Sequence, residues 1–357
     1  MNAVATIALA VLTAANPREP TTDEFKPCVE KGLKWLAAQQ HADGSWASRN
    51  DRYPTTTTTL AGLALLAEGS TPQSGTYAHQ LRKAVAWIDK NATESGLLAT
   101  STGETGRNVQ GHAHALLFLA CAHETDDDPE CRKQIGKLLS RAVAFAEDSQ
   151  GNRGGWGLVS SRERANGDDS FTTLLMLQGL FAARKAGIAV PPKLTDAATN
   201  YLVKATNAAG GVFPRAIDAN FPGAGTGQVQ LTSGSAATLL MHDGLRPDAL
   251  RRWVANLKPN IGLRLTRVNS ASAFTNLQIA RAAFALGENG HARLDPNALV
   301  TDLVRWSSYR AVAYGALKTE QSADGSWPDT LNGPAHSTAI ALIILQLEND
   351  YVPAFAR

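Results

Sequence analysis

Residues 40–46 read QHADGSW, residues 321–327 read QSADGSW, and residues 150–156 read QGNRGGW. All of these stretches fit the pattern Gln-x-x-x-Gly-x-Trp. A degenerate copy is formed by Asn207, Gly211 and Phe213, and fainter copies surround Gly96 and Gly262. About six copies at a period of about 50 residues are typical of a repeat architecture.

Two helices of different character flank each copy of the pattern. The preceding helix is amphipathic, as in the segment where Val85, Trp87 and Ile88 lie beside Arg82 and Lys83. A Gly-rich turn ends it, because glycine tolerates the left-handed conformation favoured at a helix C-terminus. The following helix is apolar on all sides, so we expect it to be buried among other helices. These inner segments are Leu60 to Ala67, Ala113 to Ala120, Leu174 to Ala183, Ala236 to Met241, Ala280 to Leu286 and Ala339 to Leu347.

The end of the chain indicates how the repeats are arranged. An open solenoid needs polar capping repeats at both ends, yet the last inner segment, His336 to Leu347, is as apolar as the central ones. We therefore predict an all-α fold, an (α/α)6 toroid of about six helical hairpins, formed as a single domain by residues 24–357. The stretch from Phe213 to Thr232, rich in Gly, Pro and Ala, is predicted to be a long loop at the rim.

Composition narrows the function classes. The chain has 357 residues, 44% of them hydrophobic, which excludes wholesale disorder. Its 34 basic and 32 acidic residues balance to a net charge of +2, so a dedicated nucleic-acid binder is not favoured. The three cysteines, Cys28, Cys121 and Cys131, make neither a disulfide framework nor a zinc knuckle. A Cys121–Cys131 bridge is an alternative, but buried free thiols are expected.

The N-terminus resembles a secretory signal. Residues 3–15 are apolar and uncharged, end in small residues, and are too short to span a bilayer. We predict a signal peptide over residues 1–15, a linker over 16–23, and export to the periplasm or medium. The alternative is an apolar N-terminus on a cytosolic protein.

The repeat resembles that of squalene–hopene cyclases and protein prenyltransferase β subunits. Within that superfamily the chain is most similar to the stand-alone prenyltransferase/squalene oxidase repeat proteins of planctomycete-type bacteria. The stretches carrying this resemblance are HSTAIALIILQ at 336–346 and GHAHALLFLA at 111–120. It implies the toroid fold and an exported protein, and it implies no particular activity, because no activity is shared by that group.

Candidate functional residues are sought where the inner helices begin, because helix N-termini carry partial positive charge and free N–H groups. Residues 166–170 read NGDDS and resemble the Asp-x-Asp-Asp-Thr acid motif of class II terpene cyclases. The resemblance implies a proton donor at Asp168 with Asp169 beside it, although Asn166 stands where that family has Asp. The alternative is that these carboxylates cap the following helix.

Further candidates for ligand contact are His112, His114, Thr172, His336 and Trp156. Residues two apart on a helix point to different sides, so at most one of His112 and His114 should face a central cavity. Trp156 and its repeat equivalents have packing as an alternative role. The chain lacks an Asp-x-Cys pair, which disfavours the zinc site of the prenyltransferases. No metal or cofactor is predicted.

Our leading hypothesis is a terpenoid cyclase-like toroid with an apolar central cavity for an isoprenoid or other lipid-like ligand. Such a protein could also associate with the membrane surface. Its chemistry, if it is catalytic, would be proton-initiated isomerisation centred on Asp168. One alternative is a non-catalytic repeat scaffold that binds protein partners. Another is a polysaccharide-active toroid in which Asp168, Asp169 and Asp329 supply the carboxylates.

Overall fold

The computed structural model describes residues 22–47, 50, 52–99, 104, 106–160, 167–215, 228–242, 246–264, 273–300 and 303–356. Over these ranges the chain is all-helical, with no strand beyond isolated bridges, as the sequence predicts. The helices are α1 (Thr22–Ala38), α2 (Pro54–Leu66), α3 (Ala78–Asn91), α4 (Asn108–Thr125), α5 (Pro129–Ser149), α6 (Ser170–Lys185), α7 (Pro192–Lys204), α8 (Val229–Met241), α9 (Pro247–Arg264), α10 (Ala273–Leu286), α11 (Gly290–Leu294), α12 (Trp306–Glu320) and α13 (Pro334–Leu345).

Several sequence predictions concern residues outside those that the structure describes. The predicted signal peptide and residues 16–21 of the predicted linker are among them, as are Asn166 and residues 216–227 of the predicted rim loop. No helix in the described part of the chain is long and apolar enough to cross a membrane. The three cysteines are free thiols, so the alternative Cys121–Cys131 bridge is not formed.

The predicted inner helices form a closed ring. Helices α2, α4, α6, α8, α10 and α13 contact one another in chain order, and α13 packs against α2. In α13, for example, every residue from Ala335 to Leu345 is buried. A helix that is apolar on all sides is stable only when other elements surround it, which is what the ring supplies.

The outer helices α1, α3, α5, α7, α9 and α12 surround this ring. Each packs mainly against the inner helix that precedes it in the chain, and α1 takes the corresponding place against α13. The first helix of the chain therefore completes the last hairpin. An ion pair between Lys318 Nζ and Glu24 Oε1 at 3.1 Å joins α12 to α1 at this junction.

The glutamine of each clear motif copy joins neighbouring repeats. Gln40 Nε2 donates to the carbonyl of Gly44 in its own turn at 2.9 Å and to that of Gln80 in α3 at 2.9 Å. Gln150 makes the same pair of bonds, the second to α7. The side chain thereby pairs a carbonyl of the turn and links the turn to the first turn of the next outer helix.

The tryptophan of the motif is a packing residue. Trp156 is fully buried, and its ring Nε1 donates to the carbonyl of Ala146 at 2.9 Å. Its backbone N–H donates to Thr173 Oγ1 at 3.0 Å, which ties the turn to α6. Trp46 and Trp327 repeat both bonds. Of the two roles considered for Trp156, this geometry is that of packing.

The fourth copy of the motif, predicted at Asn207, Gly211 and Phe213, is aligned one residue too late in the sequence. The turn glycine of the fourth copy is Gly210, at φ 81°, and not Gly211. Val212 takes the place of the tryptophan, because it is fully buried and its N–H donates to Thr232 Oγ1 at 2.9 Å. Only glycine fits at position 210, because a Cβ there would collide with the backbone carbonyl of Arg252 in α9.

Part of the ring's interior, where an apolar cavity is predicted, is occupied by buried polar side chains. Gln178 Nε2 donates to Gln278 Oε1 at 3.3 Å, and Arg281 Nη1 donates to the same oxygen at 3.1 Å. The segment after α13 then folds across the C-terminal ends of the inner helices. Its Phe355 ring lies 4.4 Å from the Arg281 guanidinium, and Lys185 Nζ donates to the Pro353 carbonyl at 2.7 Å.

Candidate functional site

A cavity of about 210 Å³ opens where the inner helices begin, at the end of the ring predicted from the sequence. Its volume is below the roughly 300–1,000 Å³ of sites for drug-sized ligands, so it suits a small ligand or one unit of a larger one. Most of the lining residues are of polar type, but the greater part of the surface that they expose to the cavity is apolar, in keeping with the expected apolar cavity. The lining residues are Tyr53, Thr56, Thr57, Glu104, Arg107, Gln110, His114, Phe171, Phe274, Leu331, Asn332 and His336.

Glu104 provides a buried carboxyl group in this lining. The start of α2 has no side-chain cap of its own, because Tyr53 occupies the cap position and Pro54 follows. Glu104 Oε1 replaces that cap by accepting from the N–H groups of Thr55 at 2.7 Å and Thr56 at 3.3 Å. Its Oε2 is buried and has no hydrogen-bond partner among the described residues.

Burial raises the pKa of Glu104, and the hydrogen bonds from Thr55 and Thr56 only partly oppose that shift. A carboxyl group with one oxygen bound to N–H donors and the other unpartnered carries its proton on the unpartnered oxygen. Glu104 is therefore biased toward a neutral acid with its proton on Oε2. A neutral carboxyl in a cavity is the form that a proton donor requires.

A second carboxyl group lies behind His336, at the start of α13. His336 Nδ1 lies 3.4 Å from Asp329 Oδ2. The other oxygen of Asp329 accepts from the N–H groups of Leu331 at 2.8 Å and Asn332 at 2.7 Å. Burial acts to raise the pKa of Asp329, but the interaction with His336 and the hydrogen bonds from these N–H groups outweigh it and lower that pKa. The ionised Asp329 thus attracts the Nδ1 side of His336 electrostatically, although Nδ1 makes no well-formed hydrogen bond, and Nε2 is the other ring nitrogen.

His114 adds a neutral ring to the cavity. Burial, reinforced by the nearby His336, lowers the pKa of His114 to about 3. Its ring meets that of Phe274 edge-on at 5.8 Å, and Phe274 meets Phe171 edge-on at 5.3 Å. The three rings form one aromatic wall of the site.

His112 has a structural role instead. Its Nδ1 accepts from the N–H of Leu98 at 3.1 Å, the bond that threonines make in other repeats. Its ring packs against Phe145 at 4.7 Å, and burial lowers its pKa to about 3. Only His114 of this pair lines the cavity, as expected for residues two apart on a helix.

Asp169 and Thr172 lie behind the lining. Asp169 caps α6, because its Oδ1 accepts from the Thr172 N–H and the Thr172 hydroxyl, both at 2.8 Å. Thr172 Oγ1 in turn accepts from Gln110 Nε2 at 3.0 Å. These residues position Gln110, which does line the cavity.

Asp168 lies in the turn between α5 and α6 and is not among the cavity-lining residues. It is buried against Gly151 and Gly155, and its Oδ2 lies 3.7 Å from Arg153 Nε. Burial raises its pKa, with Arg153 opposing the shift. The Tyr201 hydroxyl donates to its backbone carbonyl at 2.9 Å. This placement beside an outer turn supports a structural role and does not favour the proton-donor hypothesis.

The sequence analysis missed Glu104, the most distinctive group of the site. It lies in a stretch of sequence rich in Gly, Ser and Thr, residues 100–106, where no motif marks it. Only its position shortly before an inner helix could have drawn attention to it. In the described part of the chain, no group of three or more His, Cys, Asp or Glu side chains is arranged to hold a metal ion.

Comparison with known proteins finds similarity in structure alone. No protein-family model matches the chain, and no curated protein matches its sequence. The structure is similar to the GH76A α-1,6-mannanase of a Salegentibacter species, with 8% identity, 90% of this chain and 98% of that one covered, and a TM-score of 0.59. It is also similar to the type II terpene cyclase MstE of Scytonema, solved with geranylgeranyl dihydroxybenzoate, with 12% identity, coverage of 94% and 98%, and a TM-score of 0.56.

A third similar structure is the family 15 glucoamylase of Hypocrea jecorina, with 12% identity, coverage of 94% and 73%, and a TM-score of 0.56. At such low identities these likenesses show the fold, and the fold is the (α/α)6 toroid that the repeats predict. Both terpene cyclases and glycoside hydrolases use it, so function has to be argued from the site.

Proposed function

We propose that this protein is a carbohydrate-active toroid enzyme that cleaves a glycosidic bond by general acid–base catalysis in the cavity between Glu104 and His336. The observation that carries the proposal is the pair of carboxyl groups in opposed environments. Glu104 is biased toward the neutral form and Asp329 toward the ionised form. Titratable groups whose surroundings push their pKa values apart are the usual sign of an acid and a base.

In the proposed reaction Glu104 donates the proton on Oε2 to the glycosidic oxygen as its bond to the anomeric carbon breaks. His336, oriented by Asp329 through Nδ1, takes a proton on Nε2 from the water that attacks that carbon. One water is consumed and two sugar ends are released. Glu104 is left ionised and His336 protonated, and proton exchange with solvent restores both.

Particular polar groups in the lining suit a sugar ligand. Hydroxyl groups need donors and acceptors at close range, and Gln110, Asn332, Thr56 and Thr57 supply them. Phe171 and Phe274 offer the ring faces and edges that pack against a pyranose. Two of the three toroid structures compared above are glycoside hydrolases, which agrees with the proposal without deciding it.

Export over residues 1–15 belongs to the same proposal, because polysaccharide is available outside the cytoplasm. Cell fractionation of the native host tests it: we expect the protein in the periplasm or medium with its N-terminus cleaved. A full-length protein found in the cytoplasm would contradict export and leave the chemistry untouched.

A second candidate retains the isoprenoid ligand. The observation that favours it is the Phe171–Phe274 edge-to-face pair at 5.3 Å, since aromatic rings stabilise carbocations. Glu104, rather than Asp168, would then protonate an alkene. The small volume of the cavity makes this the weaker proposal, and a short prenyl chain would be the substrate.

The deciding experiment measures sugar release from a panel of polysaccharides and oligosaccharides by the wild type and by Glu104→Gln and His336→Asn. We expect either variant to lose about 10²–10⁴ in kcat, the range for one acid–base group. Asp128→Asn is the matched control, because Asp128 caps the outer helix α5 and should leave activity unchanged. Turnover of geranyl or geranylgeranyl compounds without sugar release would support the second candidate. Full activity of Glu104→Gln would overturn the acid role.

A further inference from the structure

The charges in the cavity lining do not balance. Its ionisable groups are Glu104, Arg107, His114 and His336. Burial biases Glu104 and His114 toward their neutral forms, and the charge of Asp329 lies behind His336. Arg107 supplies the positive charge in the lining, because arginine side chains are cationic in proteins.

Arg107 also occupies a position that local electrostatics disfavour. It is the cap residue of α4, where the helix dipole places partial positive charge, and its side chain makes no capping bond. Acidic or small polar residues are preferred there. Residues that break a local rule without a structural gain are expected at functional sites.

No carboxylate in the described part of the chain pairs with Arg107, whose guanidinium lies over the Tyr53 ring at 6.0 Å. The Tyr53 backbone is itself in the left-handed region, at φ 55°, which is rare for a residue with a side chain and costs energy. Deeper in the same cavity, His114 Nδ1 and Glu104 Oε2 are buried without hydrogen-bond partners. Arg107 itself is exposed to solvent and lines the same cavity. Unpartnered buried polar atoms in a cavity that also presents a cation to solvent point to a polar, anionic ligand.

We infer that the sugar unit bound in this cavity is acidic, carrying a carboxylate or a sulfate that Arg107 recognises. That the ligand is a sugar rests on the proposed function, whereas its acidic character rests on Arg107. A planar guanidinium binds either anion through two parallel hydrogen bonds. A cavity of about 210 Å³ holds one such unit. The anion also acts on the catalytic acid, because a negative charge near Glu104 favours its protonated form.

The test is calorimetric titration of three sugars that differ only at C6: galactose, galacturonate and galactose 6-sulfate, with the glucose series as a second set. Binding needs no turnover, so it is independent of the proposed reaction. We expect the wild type to bind at least one acidic sugar about tenfold to a hundredfold more tightly than the neutral one, the value of a charge-assisted hydrogen bond. Which acidic sugar binds better identifies the anion.

Arg107→Gln should abolish that preference, and Arg107→Lys should retain part of it. Arg132→Gln, which removes an exposed arginine from α5, is the control and should bind as the wild type does. Equal binding of neutral and acidic sugars would overturn the inference while leaving the proposed hydrolysis standing. Absence of binding by all six sugars would also overturn it. If the preference holds but Glu104→Gln still cleaves glycans at full rate, the proposed mechanism fails and the acidic ligand remains.

Discussion

Gln321, at the end of the last outer helix, donates a hydrogen bond of 2.9 Å from its side-chain amide to the backbone carbonyl of Cys28 in the first helix. The same amide bonds the carbonyl of Gly325 at 3.0 Å. Gln40 and Gln150 make the equivalent bonds between consecutive repeats. In the ring, residues 293 positions apart therefore meet as neighbouring repeats do.

We expect Gln321→Ala to lower the free energy of unfolding by about 1–3 kcal/mol, because two part-buried hydrogen bonds, each contributing roughly 0.5–1.5 kcal/mol, are lost. Gln39→Ala is the control: Gln39 is exposed beside Gln40 and should change stability by less than about 0.5 kcal/mol. Urea unfolding followed by circular dichroism measures both. Equal stability of the two variants would mean that packing of α1 on α13 closes the ring without the motif.

The Glu104 carboxyl group should make stability fall as pH rises. Its pKa in the folded protein is raised above the reference value of 4.5. Between these two pKa values the folded state binds more protons than the unfolded state, so the unfolding free energy decreases with increasing pH. In Glu104→Gln the amide oxygen still accepts from Thr55, and this decrease should be absent.

Urea unfolding at a series of pH values from 4 upward checks this, with the wild type and Glu104→Gln compared at each pH. The difference between them, and not either curve alone, reports on Glu104. A difference that does not change with pH would show that Glu104 has an ordinary pKa, and the argument for a neutral acid would fail.

Asp329 is expected to act through His336 as a positioning residue. Asp329→Asn should reduce kcat by about tenfold or more, because the amide no longer stabilises the imidazolium that forms during catalysis. KM should change little, since Asp329 lies behind the lining. The amide oxygen can still accept from Leu331 and Asn332, so folding should be retained. A rise in KM at constant kcat would indicate a structural effect on the rim instead.

Phe355 should be important for stability although it lies near the end of the chain. It is buried, and its ring covers the fully buried guanidinium of Arg281, whose pKa burial lowers to about 9. Phe355→Ala should cost about 3–5 kcal/mol, the range for a buried phenylalanine. Tyr351→Ala is the control in the same segment, since Tyr351 is 53% exposed. Thermal and urea unfolding that fail to separate the two variants would show that the segment does not seal the ring.

The location of the cavity could be predicted, but its chemistry could not. Inner-helix starts were expected to surround it, and His114 and His336 lie there. Helix geometry alone predicted that at most one of His112 and His114 would face the cavity. Asp168 and Asp169 carried the acid motif by resemblance, yet Asp169 caps α6 and Asp168 packs into a turn. The N-cap alternative was thus the better account of Asp169, because capping is a local property that sequence spacing predicts.

The sequence alone determined the helical hairpins, their alternation between outer and inner positions, and the closed ring. Those features depend on period and on apolar character along short segments, and both can be read locally. Tertiary structure alone decided which side chains share the cavity and how large it is. Glu104 reaches it from a position 49 residues after Thr55, and Gln278, Arg281 and Phe355 occupy part of the ring's interior. Contacts between residues so far apart follow from packing of the whole ring, which no local pattern encodes.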